Sequence, residues 1–93
     1  MTFMNKTPTE VQTREFNWAP TLGSDTIVSS TWLTSDPALT ITSSTNTTTA
    51  TYVWVGGGVV GGTYVVTNRI VTASGATLED SFPVYVETYN FVQ

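Results

Sequence analysis

The sequence contains no cysteine and no histidine. The first absence excludes a disulfide framework and any thiolate metal site, so the fold must hold by packing alone. The two together remove the commonest catalytic bases and nucleophiles. Charge is also scarce: 11% of residues are Asp, Glu, Lys or Arg, where about a quarter is usual. Lys6, Arg14 and Arg69 are the only cations and the net charge is −4. Three scattered positive charges cannot neutralise a phosphate backbone, so nucleic acid is not an expected partner. No apolar run approaches the roughly 20 residues of a membrane span. Residues 1–10 hold one lysine and no apolar stretch, so they do not form a signal peptide. The expectation is a soluble protein without a cleaved leader of its own.

What is present favours strands. A chain of 93 residues is the size of one domain. Hydrophobic residues make up 40% and aromatics 12%, enough for a packed core. Threonine occurs 20 times against 8 serines. A β-branched hydroxyl side chain suits a pleated, half-buried surface and fits poorly in a helix.

Residues 1–9 are polar apart from Phe3 and Met4 and are broken by Pro8, which suggests an N-terminal arm. From Glu10 to Trp18 a strand would place Gln12, Arg14, Phe16 and Trp18 on one side. Pro20 and Leu22-Gly23-Ser24-Asp25 turn the chain. Thr26 to Thr34 is extended, with Ile27 and Leu33 on one face and Val28 and Trp32 on the other. After the Ser35-Asp36-Pro37 turn, Leu39 and Ile41 are in phase on a short strand, and Ser43 to Thr48 is a polar loop or edge. Ala50, Tyr52 and Trp54 alternate with Thr51, Val53 and Val55. No window carries a 3.6-residue period. Turn signals every 8–12 residues point to a sandwich or barrel.

The hairpin from Thr63 to Glu87 is the best-determined element. A two-residue Ser74-Gly75 loop would mix Tyr64, Val66 and Ile70 with Glu79 and Ser81. A three-residue Ala73-Ser74-Gly75 loop puts glycine at the left-handed position of a G1 bulge. It pairs Tyr64 with Val84, Val66 with Phe82 and Ile70 with Leu78. A one-residue slip reverses every side chain, so agreement of the apolar faces selects this register. Arg69 then faces Glu79 outside, and Asn68 faces Asp80 inside, near the hairpin end, with solvent or backbone partners. Gly62-Thr63-Tyr64 resembles the tyrosine corner of immunoglobulin-like sandwiches. Seven segments, no helix and this hairpin favour an all-β, Ig-like antiparallel β-sandwich of about seven strands, with a small barrel as the alternative. Residues 1–9 are expected as the arm, 10–88 as the sandwich and 89–93 as a C-terminal tail.

The chemical motifs are weak. Gly56, Gly58 and Gly61 satisfy G-x-G-x-x-G, but a strand follows them where a dinucleotide site needs a helix. They suggest a flexible connection that exposes Val59 and Val60. Glu79 and Asp80 are adjacent on a strand and point to opposite faces, so they cannot act as a catalytic pair. Asp25 and Asp36 belong to turns, and no calcium-loop spacing occurs. No active site, cofactor or metal is expected. Trp18 and Trp32 are core candidates. Trp54 divides between core edge and interface anchor. Two Asn-x-Thr triplets, at Asn5 and Asn46, match the glycosylation pattern by chance.

Two stretches carry a family resemblance. The first runs from Phe16-Asn17-Trp18 through Asp25-Thr26-Ile27-Val28-Ser29-Ser30-Thr31-Trp32. The second is Gly62-Thr63-Tyr64-Val65-Val66-Thr67-Asn68-Arg69, followed by Ser74-Gly75 and Ser81-Phe82. Together they resemble small proteins encoded in tailed-bacteriophage morphogenesis regions, described as fibre–tail adaptor proteins. The resemblance implies a non-enzymatic virion protein, made in the bacterial host cytoplasm, that joins tail, neck or fibre components in multiple copies or as a homo-oligomer. A capsid decoration protein is the alternative within structural roles, and a carbohydrate- or receptor-binding module using Trp54 is the alternative outside them. Candidate contact residues are Phe3, Met4, Trp54, Val59, Val60, Tyr89 and Phe91. Large side chains on terminal segments suggest docking onto a neighbour.

Overall fold

Period-two alternation along a Thr- and Val-rich chain produces strands, and among the described residues it produces seven. The computed structural model describes residues 3–88, and these run β1 (Met4–Lys6), β2 (Gln12–Asn17), α1 (Ala19–Leu22), β3 (Ile27–Thr34), β4 (Leu39–Asn46), β5 (Ala50–Gly57), β6 (Thr63–Thr72) and β7 (Thr77–Val86). One sheet has the order β1-β7-β6-β3 and the other β2-β5-β4. The protein is an all-β sandwich. Its pairings are antiparallel with one exception: β1 runs parallel to β7, Met4 opposite Val84 and Lys6 opposite Val86.

The final hairpin has the register in which the apolar faces agree. Tyr64 lies opposite Val84, Val66 opposite Phe82, Arg69 opposite Glu79 and Ile70 opposite Leu78. Its loop is Ala73-Ser74-Gly75, closed by the Thr72 N–H donating to the Ala76 carbonyl at 2.9 Å, with Gly75 at φ 94°. Only glycine takes that backbone conformation without cost.

Inward-facing residues of both sheets fill the core. Met4, Leu39, Val53, Val55, Tyr64, Val66, Phe82, Val84 and Val86 pack together, and Trp18, Leu22, Ile27 and Ile70 form a second group. Phe16 joins them: its ring meets Trp18 and Phe82 edge-on and stacks on Trp32 at 5.6 Å. Trp18 is buried and Trp32 is half-buried against the core.

Four local expectations are corrected. Within the segment expected as an arm, Met4–Lys6 is a strand of the larger sheet and Met4 is fully buried. Lys6 is buried beside it, and its ammonium donates to the carbonyls of Thr7 and Gly57 at 2.6 and 2.5 Å. Ile27 lies inside with Trp32 while Leu33 is exposed, because a bulge between Ile27 and Ser29 shifts the phase of β3. A single helical turn, Ala19–Leu22, stands where a plain turn was expected. Pro20 is tolerated there because the first helical N–H groups have no intrahelical acceptor. Finally, Asn68 is fully buried instead of reaching solvent at the hairpin end.

Asn68 holds the two sheets together. Its side-chain carbonyl accepts from Trp18 Nε1 at 3.1 Å and from Thr51 Oγ1 at 2.7 Å. Its amide donates to Ser30 Oγ at 2.9 Å and to the Thr31 carbonyl at 3.1 Å. Both ends of the amide are satisfied, the condition under which a buried polar group is tolerated.

Candidate interaction surfaces

Among the described residues the inward side chains of both sheets pack together, and the outward positions are the ones open to another molecule. Alternation decides what the outside carries, since each inward residue leaves its neighbours outward. On the four-stranded sheet the outward positions near one end are Phe3, Tyr85, Pro83, Val65 and Leu33. Val65 lies opposite Pro83 and Thr63 opposite Tyr85, while Leu33 lies opposite Thr67. The Phe3 ring meets the Tyr85 ring edge-on at 5.8 Å. Phe3, Val65 and Leu33 are exposed, and Pro83 and Tyr85 are half-buried. A shallow depression lies beside Val65, Ser81, Phe82 and Pro83. Phe3 just before β1, Tyr85 and Pro83 on β7, Val65 on β6 and Leu33 on β3 thus gather apolar side chains at this end of the sheet, with Thr63 and Thr67 between them. Farther toward the hairpin tip the same face turns polar, with Arg69 Nε on Glu79 Oε2 at 2.5 Å between two half-exposed side chains.

The opposite face of the molecule is the outside of β2-β5-β4. Its central strand presents Tyr52 and Trp54, both half-buried, flanked by Glu15 and Thr13 on β2 and by Thr45 and Ser43 on β4. Two hydroxyls at its margin are engaged by backbone: Thr13 donates to the Val53 carbonyl at 3.1 Å and Thr42 to the Trp54 carbonyl at 3.2 Å. The aromatic pair is therefore the main free feature of that face.

The third exposed apolar group is the loop between β5 and β6. Val59 and Val60 are exposed at 61% and 51%. The loop is pinned, contrary to the expected flexible connection. The Val59 N–H donates to the Tyr64 hydroxyl at 3.0 Å, so the phenol bonds back to the preceding loop as the Gly62-Thr63-Tyr64 motif suggested. Gly58 donates to the Ala38 carbonyl, and Gly61 to the Val86 carbonyl at 2.8 Å. Gly58 has φ 94°, and a Cβ there would meet the Val86 methyl at 2.6 Å. Gly57 and Gly58 thus serve a tight, packed turn.

Charge is confined to local roles. Asp25 accepts from the Ser74 hydroxyl at 2.6 Å, the Ser74 N–H at 3.2 Å and the Thr26 N–H at 2.9 Å. These bonds, led by the Ser74 hydroxyl, hold its pKa down at about 2. Desolvation lowers the pKa of Lys6, against the opposing pull of Glu10. Burial likewise lowers that of Arg14, whose guanidinium donates to the Thr13 and Phe3 carbonyls. Among the described residues no group of three acidic, histidine or cysteine side chains is placed to hold a metal ion.

The candidate contact residues do not form one patch. Phe3 belongs to the apolar group on the larger sheet, Trp54 to the face opposite, and Val59 and Val60 to the end loop. Met4 is withdrawn, since it lies in the chain's own core at 0% exposure. Tyr89 and Phe91 lie outside the described residues. Tyr85, Pro83, Val65 and Leu33 were missed by sequence reasoning. The hairpin register places the first three outward together, while Leu33 joins them only through the pairing of β3 with β6.

Over residues 6–85 the chain matches the family described as podophage GP4 fiber-tail adaptor protein gp77. No curated protein matches it by sequence.

Proposed function

We propose that this chain, which belongs to the podophage GP4 fiber-tail adaptor protein gp77 family, holds two virion components together through opposite faces of its sandwich. The role is structural and needs no chemistry from the chain. One component seats on the apolar group Phe3, Tyr85, Pro83, Val65 and Leu33. The other seats on Tyr52 and Trp54. A joining protein needs two contact surfaces that a single partner cannot cover at once, and the outer faces of a sandwich satisfy that need by construction. The observation that carries this reading is the group of outward apolar side chains at one end of the four-stranded sheet, since exposed apolar surface gathered in one place marks interaction sites.

The components are tail, neck or fibre proteins, and the chain is made in the bacterial host cytoplasm before it joins the particle. Val59 and Val60 add a contact at the end where β7 leaves the sheet. An Ig-like classification is supported by the sheet orders and by the Tyr64 hydroxyl bonded to the loop before it. The test is a cryo-EM map of the particle in which this chain is located. Different proteins covering Val65 and Trp54 are expected. A particle in which either face points into solvent contradicts the proposal.

A further inference from the structure

We propose that the outer face of the three-stranded sheet recognises an arginine of its partner protein, with the guanidinium lying on the Tyr52 and Trp54 rings and meeting the Glu15 carboxylate. The inference rests on the adaptor reading above, which seats a component on this face. It adds the chemistry by which that component is held.

The strand register brings the three side chains to one place. Tyr52 and Trp54 stand at alternate positions of β5, so both point outward while Val53 between them is buried. Glu15 lies directly opposite Tyr52 on β2, and Thr13 lies opposite Trp54. Facing residues of antiparallel strands have Cβ atoms about 4.5–5.5 Å apart, which sets the Glu15 carboxylate at the margin of the Tyr52 ring. The other flank, Thr45 and Ser43 on β4, is uncharged. Glu15 is exposed, and among the described residues it has no ion pair.

The charge balance selects the occupant. The chain has three basic side chains, and each is committed elsewhere. Lys6 is buried, with its ammonium on the Thr7 and Gly57 carbonyls. Arg14 adjoins Glu15 in sequence and so points to the other side of β2, where it donates to the Thr13 and Phe3 carbonyls. Arg69 is on the opposite sheet, against Glu79. A second copy supplies a cation only by breaking one of these contacts, so the counter-charge comes from a different protein. A neutral segment laid over the rings would cover Glu15 without a partner, and an unpaired carboxylate taken from water is costly. A cation removes that cost and is also drawn to the aromatic faces. Arginine fits best, because its planar guanidinium stacks on rings and bonds a carboxylate through two parallel N–H groups.

Nuclear magnetic resonance of the full chain, titrated with acetyl-arginine amide and with acetyl-citrulline amide, tests it. Citrulline keeps the planar side-chain end and lacks the charge. The arginine probe should shift the Tyr52 and Trp54 ring signals saturably and leave those of the buried Trp18 in place. The citrulline probe should bind at least about threefold more weakly, and so should the arginine probe on Glu15→Gln, an exposed change that leaves the melting temperature in place. Equal response to both probes, unchanged binding by Glu15→Gln, or no saturable shift overturns the proposal. Co-purification separates this inference from the reading beneath it. Glu15→Lys should lose the same component as Trp54→Ser. A component lost by Trp54→Ser and kept by Glu15→Lys overturns the arginine contact and leaves the adaptor reading standing. A saturable arginine response with no component lost by Trp54→Ser does the reverse.

Discussion

Asn68 is the buried side chain on which β3, β5, β6 and the Trp18 ring converge, through four hydrogen bonds. Leucine has a similar volume and no donor or acceptor. Asn68→Leu takes away the acceptor of the Thr51 hydroxyl and leaves the Trp18 N–H with only its bond to Thr51 Oγ1 at 3.2 Å, and a buried group left unmade costs about 1–3 kcal/mol. Denaturant melts should show a clearly lowered midpoint with an unchanged slope. Asp25 gives a pH signature of known sign. Its folded-state pKa of about 2 lies below its ordinary 3.8, so the unfolded chain binds a proton first as the solution is acidified. Its contribution to stability is complete above the ordinary value and is lost as pH falls through the folded one. Asp25→Ala should therefore melt below the unmodified protein at neutral pH. The gap between the two melting temperatures should close as pH approaches about 2.

The β6–β7 hairpin is the element on which the larger sheet depends, and it supplies the plainest stability contrast. Val66 is fully buried opposite Phe82. Val66→Asp places an unpaired charge in the core of a domain whose total stability is about 5–10 kcal/mol, and the chain should fail to fold. Arg69, three residues along the same strand, faces outward in a half-exposed ion pair. Arg69→Ala should cost about 1 kcal/mol or less. Circular dichroism melts of the two proteins check both.

This hairpin was legible in the sequence because three independent signals agreed: alternation, a glycine at the left-handed turn position, and coincidence of the apolar sets. β3 was legible only in part. Its bulge changes the phase between Ile27 and Trp32, and no residue type announces a bulge there. β1 was hidden for a different reason. Three residues are too few to display a period, and a lysine beside a methionine does not look like core until two carbonyls are in place to receive its ammonium. Asn68 sat at an inward position of the correct register. Its burial was missed because the partners come from distant segments, Trp18 and Thr51 above all. The outward apolar group suffered the same limit, since Phe3 and Leu33 join Val65 and Pro83 only through pairings that alternation alone does not supply.

At the scale of the whole molecule, the protein is a filled sandwich with an apolar group on one outer face and an aromatic pair on the other. Its family places it in the virion as an adaptor between fibre and tail, and an adaptor is defined by having two contacts at once. The most direct test compares Val65→Asp with Trp54→Ser, each first shown to melt like the unmodified protein. The measurement is co-purification of every tail and fibre protein with each variant. Val65→Asp is expected to lose one component and keep the other, and Trp54→Ser to do the reverse. If both variants lose the same component, or neither loses any, the two faces do not divide the work and the account is wrong.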